Sequence, residues 1–229
     1  MPEGGVFLAL PSYSPAHGTQ GTMFGAIEAV KSKVSFEGKL TYASHSSSDL
    51  CYCFNSLWCA ALNTRPHKYF VMLHSDVRPV AKSGGNWLDK LIGLADESGL
   101  NCLSCAIAIK NASGETSTAL EDDSFEGVKR YTFDDLYEKP SPLTNKHEPK
   151  LLVNTGCMAV RMDASWCEEF YFKTDSWIER IAQSFMPRSL TEDWGMSMWM
   201  RDKGLSFGVT TEIGCLHLGY QQFAWKGTA

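Results

Sequence analysis

The stretch Tyr69-Phe70-Val71-Met72-Leu73-His74-Ser75-Asp76-Val77 decides the fold. Its unbroken apolar run reads as a strand, Lys68–Leu73, buried on both faces, as in mostly parallel sheets covered by helices. The run stops abruptly at His74-Ser75-Asp76. Ligands of such sheets bind at the carboxyl ends of the strands, so the polar residues just after Leu73 are where chemistry is to be sought. Asp76 is a hard oxygen ligand there, suited to Mg²⁺ or Mn²⁺, which bridge protein carboxylates and substrate phosphates. The plain alternative is that Asp76 only opens a turn before Pro79.

Outward from this strand, the pattern alternates. Val6–Leu10 reads as a strand ended by Pro11, and Thr22–Lys31 as a helix. Leu40–Ser44 is a strand. Ser46-Ser47-Ser48-Asp49 offers side chains that cap a helix start. Behind it Leu50, Cys53, Phe54, Leu57, Trp58 and Ala61 follow helical spacing. Asn86 caps a helix over Trp87–Ser98 that Gly99 stops, and Leu103–Ile109 is a strand. Residues 111–150 carry Gly114, Glu121-Asp122-Asp123, Pro140, Pro142 and Pro149 and read as an irregular excursion with one or two short elements, expected to be mobile. Beyond it come Leu151–Val153, Cys157–Arg161, a helix over Thr191–Lys203 closed by Gly204, and a last strand, Ser206–Thr210. The pattern predicts a single α/β domain with a mostly parallel central sheet flanked by helices. Residues 1–110 and 151–229 are its two halves, on either side of the excursion.

Composition narrows the function. The chain has 229 residues, 44% of them hydrophobic, enough for a large core. The net charge of −5 and pI of about 5.7 disfavour nucleic acid as a bulk partner. No signal peptide or membrane-length apolar run is present, which predicts a cytoplasmic protein without a membrane anchor. The eight cysteines lack the spacing of a metal or disulfide framework. Cys102 and Cys105 fall on opposite faces of a strand, while Cys157, Cys167 and Cys215 are scattered. All are expected to be reduced and mostly buried, behaving as small hydrophobes.

Three further constellations stand out. Glu192-Asp193, in Thr191-Glu192-Asp193-Trp194, lies at a predicted helix N-terminus, where carboxylates are favoured by the dipole alone. His217 sits in Leu216-His217-Leu218-Gly219, as a metal ligand or as a core histidine. Asn154-Thr155-Gly156 is a turn between two apolar segments.

In order and spacing these segments resemble the GT-A glycosyltransferases, especially family-2-like enzymes and their small phage and bacterial relatives. The resemblance runs from Val6 to Gly219, with the middle excursion unmatched. Leu8-Ala9-Leu10-Pro11-Ser12-Tyr13 is similar to the first strand and nucleotide loop. Asp49 and Asn55 resemble the second nucleotide-contacting segment. His74-Ser75-Asp76 stands in the place of Asp-x-Asp, with His74 replacing the first carboxylate. Asn154-Thr155-Gly156 resembles the turn near the donor sugar, and His217 a late metal-binding histidine. The resemblance implies a nucleotide-sugar donor, UDP-linked first and guanine-linked second. It implies Mn²⁺ or Mg²⁺ held by Asp76 and His217, and an inverting transfer with Asp193, beside Glu192, as general base. Pro11, Ser12, Tyr13, Asp49, Asn55, His74, Ser75, Asn154, Thr155 and Gly156 are the expected donor contacts. The acceptor stays open: a polysaccharide, a protein, a small molecule or a hydroxylated DNA base. Two rivals remain, a nucleotidyltransferase and a non-catalytic nucleotide-sugar or glycan-binding module. The first needs a basic glycine loop, and Leu10–Gly25 has no Lys or Arg.

Overall fold

The computed structural model describes residues 4–12, 26, 40–64, 66–111, 113–122, 127–162, 165–218 and 222–223. The expected helix over Thr22–Lys31 and the nucleotide-loop residue Tyr13 lie outside these, Ala26 excepted. The first strands are β1 (Gly5–Ser12) and β2 (Leu40–Ser46), followed by helix α1 (Leu50–Asn63). Then come β3 (His67–Leu73), β4 (Val77–Ala81), α2 (Trp87–Ser98) and β5 (Cys102–Ile107). Next are β6 (Glu115–Glu121), β7 (Val128–Thr132), the short α3 (Phe133–Tyr137), β8 (Leu143–Thr144), β9 (Leu151–Leu152) and β10 (Cys157–Arg161). The chain finishes with β11 (Asp175–Ile181), β12 (Ser184–Leu190), α4 (Glu192–Asp202), β13 (Phe207–Leu218) and β14 (Gln222–Phe223).

Among the described residues nine strands form one sheet, with β14-β13-β5-β10-β3-β1-β2 as its path. β1 is parallel to β2 and β3, and β13 is parallel to β5. β10 lies antiparallel between β3 and β5, so β1, β2, β3, β5 and β13 all run the same way. This is the mostly parallel, helix-flanked α/β domain that the sequence predicted.

The two faces of the sheet sort the alternating side chains of each strand. Phe7, Phe70 and Met72 pack with Phe54, Leu57 and Trp58 of α1. Val6, Leu8, Tyr69, Val71 and Leu73 pack on the other face with Trp87, Leu88, Leu91 and Ile92 of α2. Each such side chain, fully buried, contributes roughly 1.5–3 kcal/mol. The helix ends follow their predicted caps. Asp49 accepts from the Tyr52 N–H at 3.0 Å, Asn86 accepts from Leu88 and Asp89, and Gly99 ends α2 in the left-handed conformation at φ 64°.

Two readings are corrected. Residues 111–150 are not an irregular excursion: β6 pairs with β7 and β9 in a three-stranded sheet, and α3 and β8 follow. Apolar periodicity misses β6 because threonines carry its buried face. Thr116 and Thr118 are buried, and the Thr116 hydroxyl donates to the Tyr131 carbonyl at 2.9 Å, which removes the cost of burying it. The last strand is also longer than Ser206–Thr210. β13 continues through a register shift to Leu218 and pairs with β4 on the way.

Candidate active site

β3 and β13 bring the first pair of expected residues together. After Leu73 the chain turns through His74, Ser75 and Asp76 into β4, and β4 lies antiparallel on β13 with Val77 opposite His217. The Leu218 N–H donates to the Asp76 carbonyl at 2.7 Å. Asp76 and His217 are thereby adjacent, with His217 Nε2 at 3.3 Å from Asp76 Oδ2. The other ring nitrogen, Nδ1, is 2.6 Å from the Ala108 carbonyl oxygen. A carbonyl only accepts, so Nδ1 carries the hydrogen. Nε2 then faces the carboxylate with either a second proton or a lone pair. A lone pair there, beside a carboxylate oxygen and with the ring fixed by a backbone carbonyl, is the donor set that a divalent cation uses. The residues therefore fit a metal.

A residue absent from the sequence reading completes this corner. Lys110, just beyond β5, places Nζ at 2.5 Å from Asp76 Oδ2, so a fixed cation shares the carboxylate with His217. Burial alone would raise the Asp76 carboxyl. Hydrogen bonds from His217 and Lys110 outweigh it and hold the group well below the usual carboxylate range. Lys110 was legible by the rule applied to Asp76, since it is a charged residue directly after a buried strand.

The second group centres on α4. Thr155, fully buried, donates from its N–H to Asp193 Oδ1 at 3.0 Å, and its hydroxyl donates to the same oxygen. Asp193 Oδ2 has no hydrogen-bond partner among the described residues. His74 links the two groups: its Nε2 is 3.5 Å from the Thr155 hydroxyl, and its N–H donates to the Gly156 carbonyl at 2.8 Å. Burial lowers the His74 pKa, with the charges of Asp193 and Asp76 opposing, so the ring favours its neutral form. Glu192 is 8% exposed. Burial first, then the neighbouring charge of Asp193, pushes its carboxyl up to about 7.

The remaining expected residues divide. Ser12 and Ser46 pair through their hydroxyls at the ends of β1 and β2. They lie at the same sheet edge as Ser75, with Pro11 buried behind them. Asp49 is there too, with one oxygen engaged as the cap of α1. Asn55 is otherwise committed. Its amide donates to the Phe172 carbonyl and accepts from the Phe172 N–H, both at 2.8 Å, so it ties α1 to the segment before β11. Asn154 also points inward, donating to the Cys105 carbonyl at 2.8 Å and accepting from the Gly156 N–H at 3.1 Å. The Asn154-Thr155-Gly156 turn thus positions Asp193 and His74 through Thr155 and Gly156.

The cysteines are free, and most are buried. Cys102 and Cys105 do face opposite layers. Cys105, Cys157 and Cys215, distant in sequence, bring their sulfurs within 4.8 Å of one another on the buried face under α2. Hydrogen bonds from Cys105 and Cys215 lower the Cys157 thiol, with burial opposing. Strand register, which no spacing reveals, makes this cluster.

No protein-family profile matches the chain, and no curated protein matches it in sequence. Solved structures do resemble it. A197 from STIV superposes with a TM-score of 0.54 at 10% identity, over 96% of this chain and 88% of that one. CMP:2-keto-3-deoxy-manno-octonic acid synthetase complexed with CTP gives 0.45 at 10% identity, over 90% and 89%. S. aureus TarS 1–349 gives 0.42 at 9% identity, over 90% and 58%. The first likeness shows a shared fold, and the other two are looser. No helix among the described residues is long and apolar enough to cross a membrane.

Proposed function

We propose that the chain is a glycosyltransferase that moves a sugar from a nucleotide-sugar donor, UDP-linked by preference, to an acceptor hydroxyl. The observation that carries this is the convergence, at one sheet edge, of the Asp76–His217 pair and the Thr155-anchored Asp193. Asp76 and His217 would hold Mn²⁺ or Mg²⁺, which supplies charge neutralisation for a departing diphosphate. Lys110, released from Asp76, meets the same diphosphate as a second cation. Ser12, Ser46, Ser75 and the free oxygen of Asp49 supply hydrogen bonds to ribose and base. Asp193 Oδ1 is fixed by two donors from Thr155, which leaves Oδ2 oriented to take the acceptor proton as the new bond forms. Such an attack from the face opposite the leaving group inverts the anomeric centre. Neutral His74 spaces the two halves and replaces the acidic group expected there.

Asp193→Asn tests this reading. The amide keeps its size and its carbonyl can still accept from Thr155, so donor binding persists, but it cannot take a proton. Transfer should fall by ~10²–10⁴-fold with inverted product in the wild type. Turnover within a few-fold of wild type, or a retained anomeric configuration, would contradict it.

One observation favours a second reading. The ammonium of Lys110 already sits on Asp76, where a metal-free enzyme would need its cation. That version of the same reaction predicts full transfer in excess chelator.

A further inference from the structure

The hairpin formed by β11 and β12 stands out from the domain with large apolar side chains in water: Trp177 is 50% exposed, Ile178 73% and Phe185 69%. Its residues alternate in direction. Trp177 and Glu179, together with Arg188 and Leu190, turn toward α4. Between them and α4 lies a cleft of about 310 Å³, walled by Trp177, Trp194, Leu152, Glu179, Arg188 and Asp122 among others. That volume is at the small end of the range for ligand pockets, about 300–1,000 Å³. Trp194 directly follows Asp193, and Leu152 lies three residues before Thr155. The cleft therefore shares the first turn of α4 and the β9 turn with the candidate general base.

We infer that this cleft is the acceptor subsite and that it takes an uncharged glycan. The inference rests on the reading of Asp193 as general base. Two indole rings with carboxylates and a guanidinium around them offer what a sugar ring needs, an apolar wall for its C–H face and hydrogen-bonding groups for its hydroxyl rim. The charges of the cleft are matched among themselves. Arg188 Nε is 2.6 Å from Glu179 Oε2. Glu121, also on the wall, is 2.7 Å from Arg201, and the Arg130 guanidinium lies 5.0 Å from the Trp194 ring centroid. A nucleic acid needs a surplus of cations to displace its counterions, and with Asp122 on the wall the cleft has none to give. A neutral saccharide meets no such cost. A hydroxylated DNA base is thereby the disfavoured acceptor.

The test uses the full chain on a glycan array without donor, beside duplex DNA, comparing wild type, Trp177→Ala and Ile178→Ala. Ile178 is the more exposed neighbour on the other hairpin face and controls for hairpin integrity. Wild type and Ile178→Ala should retain neutral glycans, and Trp177→Ala should bind the same glycans about tenfold or more weakly. Retention of no glycan, a preference for polyanionic glycans or DNA, or equal retention by Trp177→Ala would each overturn the inference. Donor binding is read separately, as a rise in melting temperature with UDP-sugars and Mn²⁺. Glycan binding without a donor response would leave the cleft a glycan-binding site but defeat the transferase reading and, with it, the acceptor role. A donor response without glycan binding would leave the transferase reading standing and defeat the subsite.

Discussion

Glu192→Gln should stabilise the protein at neutral and alkaline pH while leaving it little changed in acid. Glu192 starts α4 and is buried beside Asp193, and its carboxyl sits at about 7 against an ordinary 4.5. The folded state therefore binds this proton more tightly than the unfolded state. The favourable contribution of the protonated group is complete below pH 4.5 and is lost as pH rises through 7. At 1.36 kcal/mol per pH unit, the interval makes ionising Glu192 cost about 3 kcal/mol. Glutamine mimics the protonated acid and escapes that cost. Urea denaturation at pH 5 and pH 8 is the assay. The variant should gain ~2–3 kcal/mol over wild type between the two pH values, with m unchanged. A gain that does not vary with pH, or a variant less stable than wild type at pH 8, would refute the assignment of a buried, proton-retaining carboxyl.

Two other perturbations follow from the same geometry. Lys110→Ala removes a charge-assisted contact worth about 1.5–3 kcal/mol, so kcat/KM for the donor should drop about 10–100-fold with partial recovery in Lys110→Arg, measured as nucleotide release; unchanged kinetics would remove Lys110 from the site. Gly208→Ala would place Cβ at 2.6 Å from the Leu143 carbonyl oxygen, where β8 lies on β13, and should cost ~1–3 kcal/mol in a denaturant titration; a variant as stable as wild type would show that this strand contact yields freely.

The sequence was most informative where one local signal decides. A continuous apolar run ending in His74-Ser75-Asp76 names both a strand and an edge, and Asn86 and Gly99 bound their helix because capping chemistry is local. It was least informative where structure depends on partners far along the chain. β6 buries Thr116, whose hydroxyl donates to the Tyr131 carbonyl of β7, and the β11–β12 hairpin exposes apolar and polar residues together, so neither shows an amphipathic period. Asn154 and Asn55 look like ligand groups by type. Their amides are spent on the backbones of Cys105 and Phe172, 49 and 117 positions away. The Asp76–His217 pair could be named from order and type, yet its adjacency comes from the β4–β13 register. The same dependence hid the convergence of Cys105, Cys157 and Cys215.

The central claim is that Asp76 and His217 form a cation-dependent donor site at this sheet edge. Its most direct measurement is the melting temperature of wild type and Asp76→Ala with a UDP-sugar, in Mn²⁺ and in excess chelator. A ligand that binds only the folded state stabilises it by mass action, about 2.7 kcal/mol at a hundredfold excess over Kd. The account predicts a rise for wild type in Mn²⁺, none in chelator, and none for Asp76→Ala under either condition. An equal rise for wild type with and without Mn²⁺, or for Asp76→Ala in Mn²⁺, would contradict it.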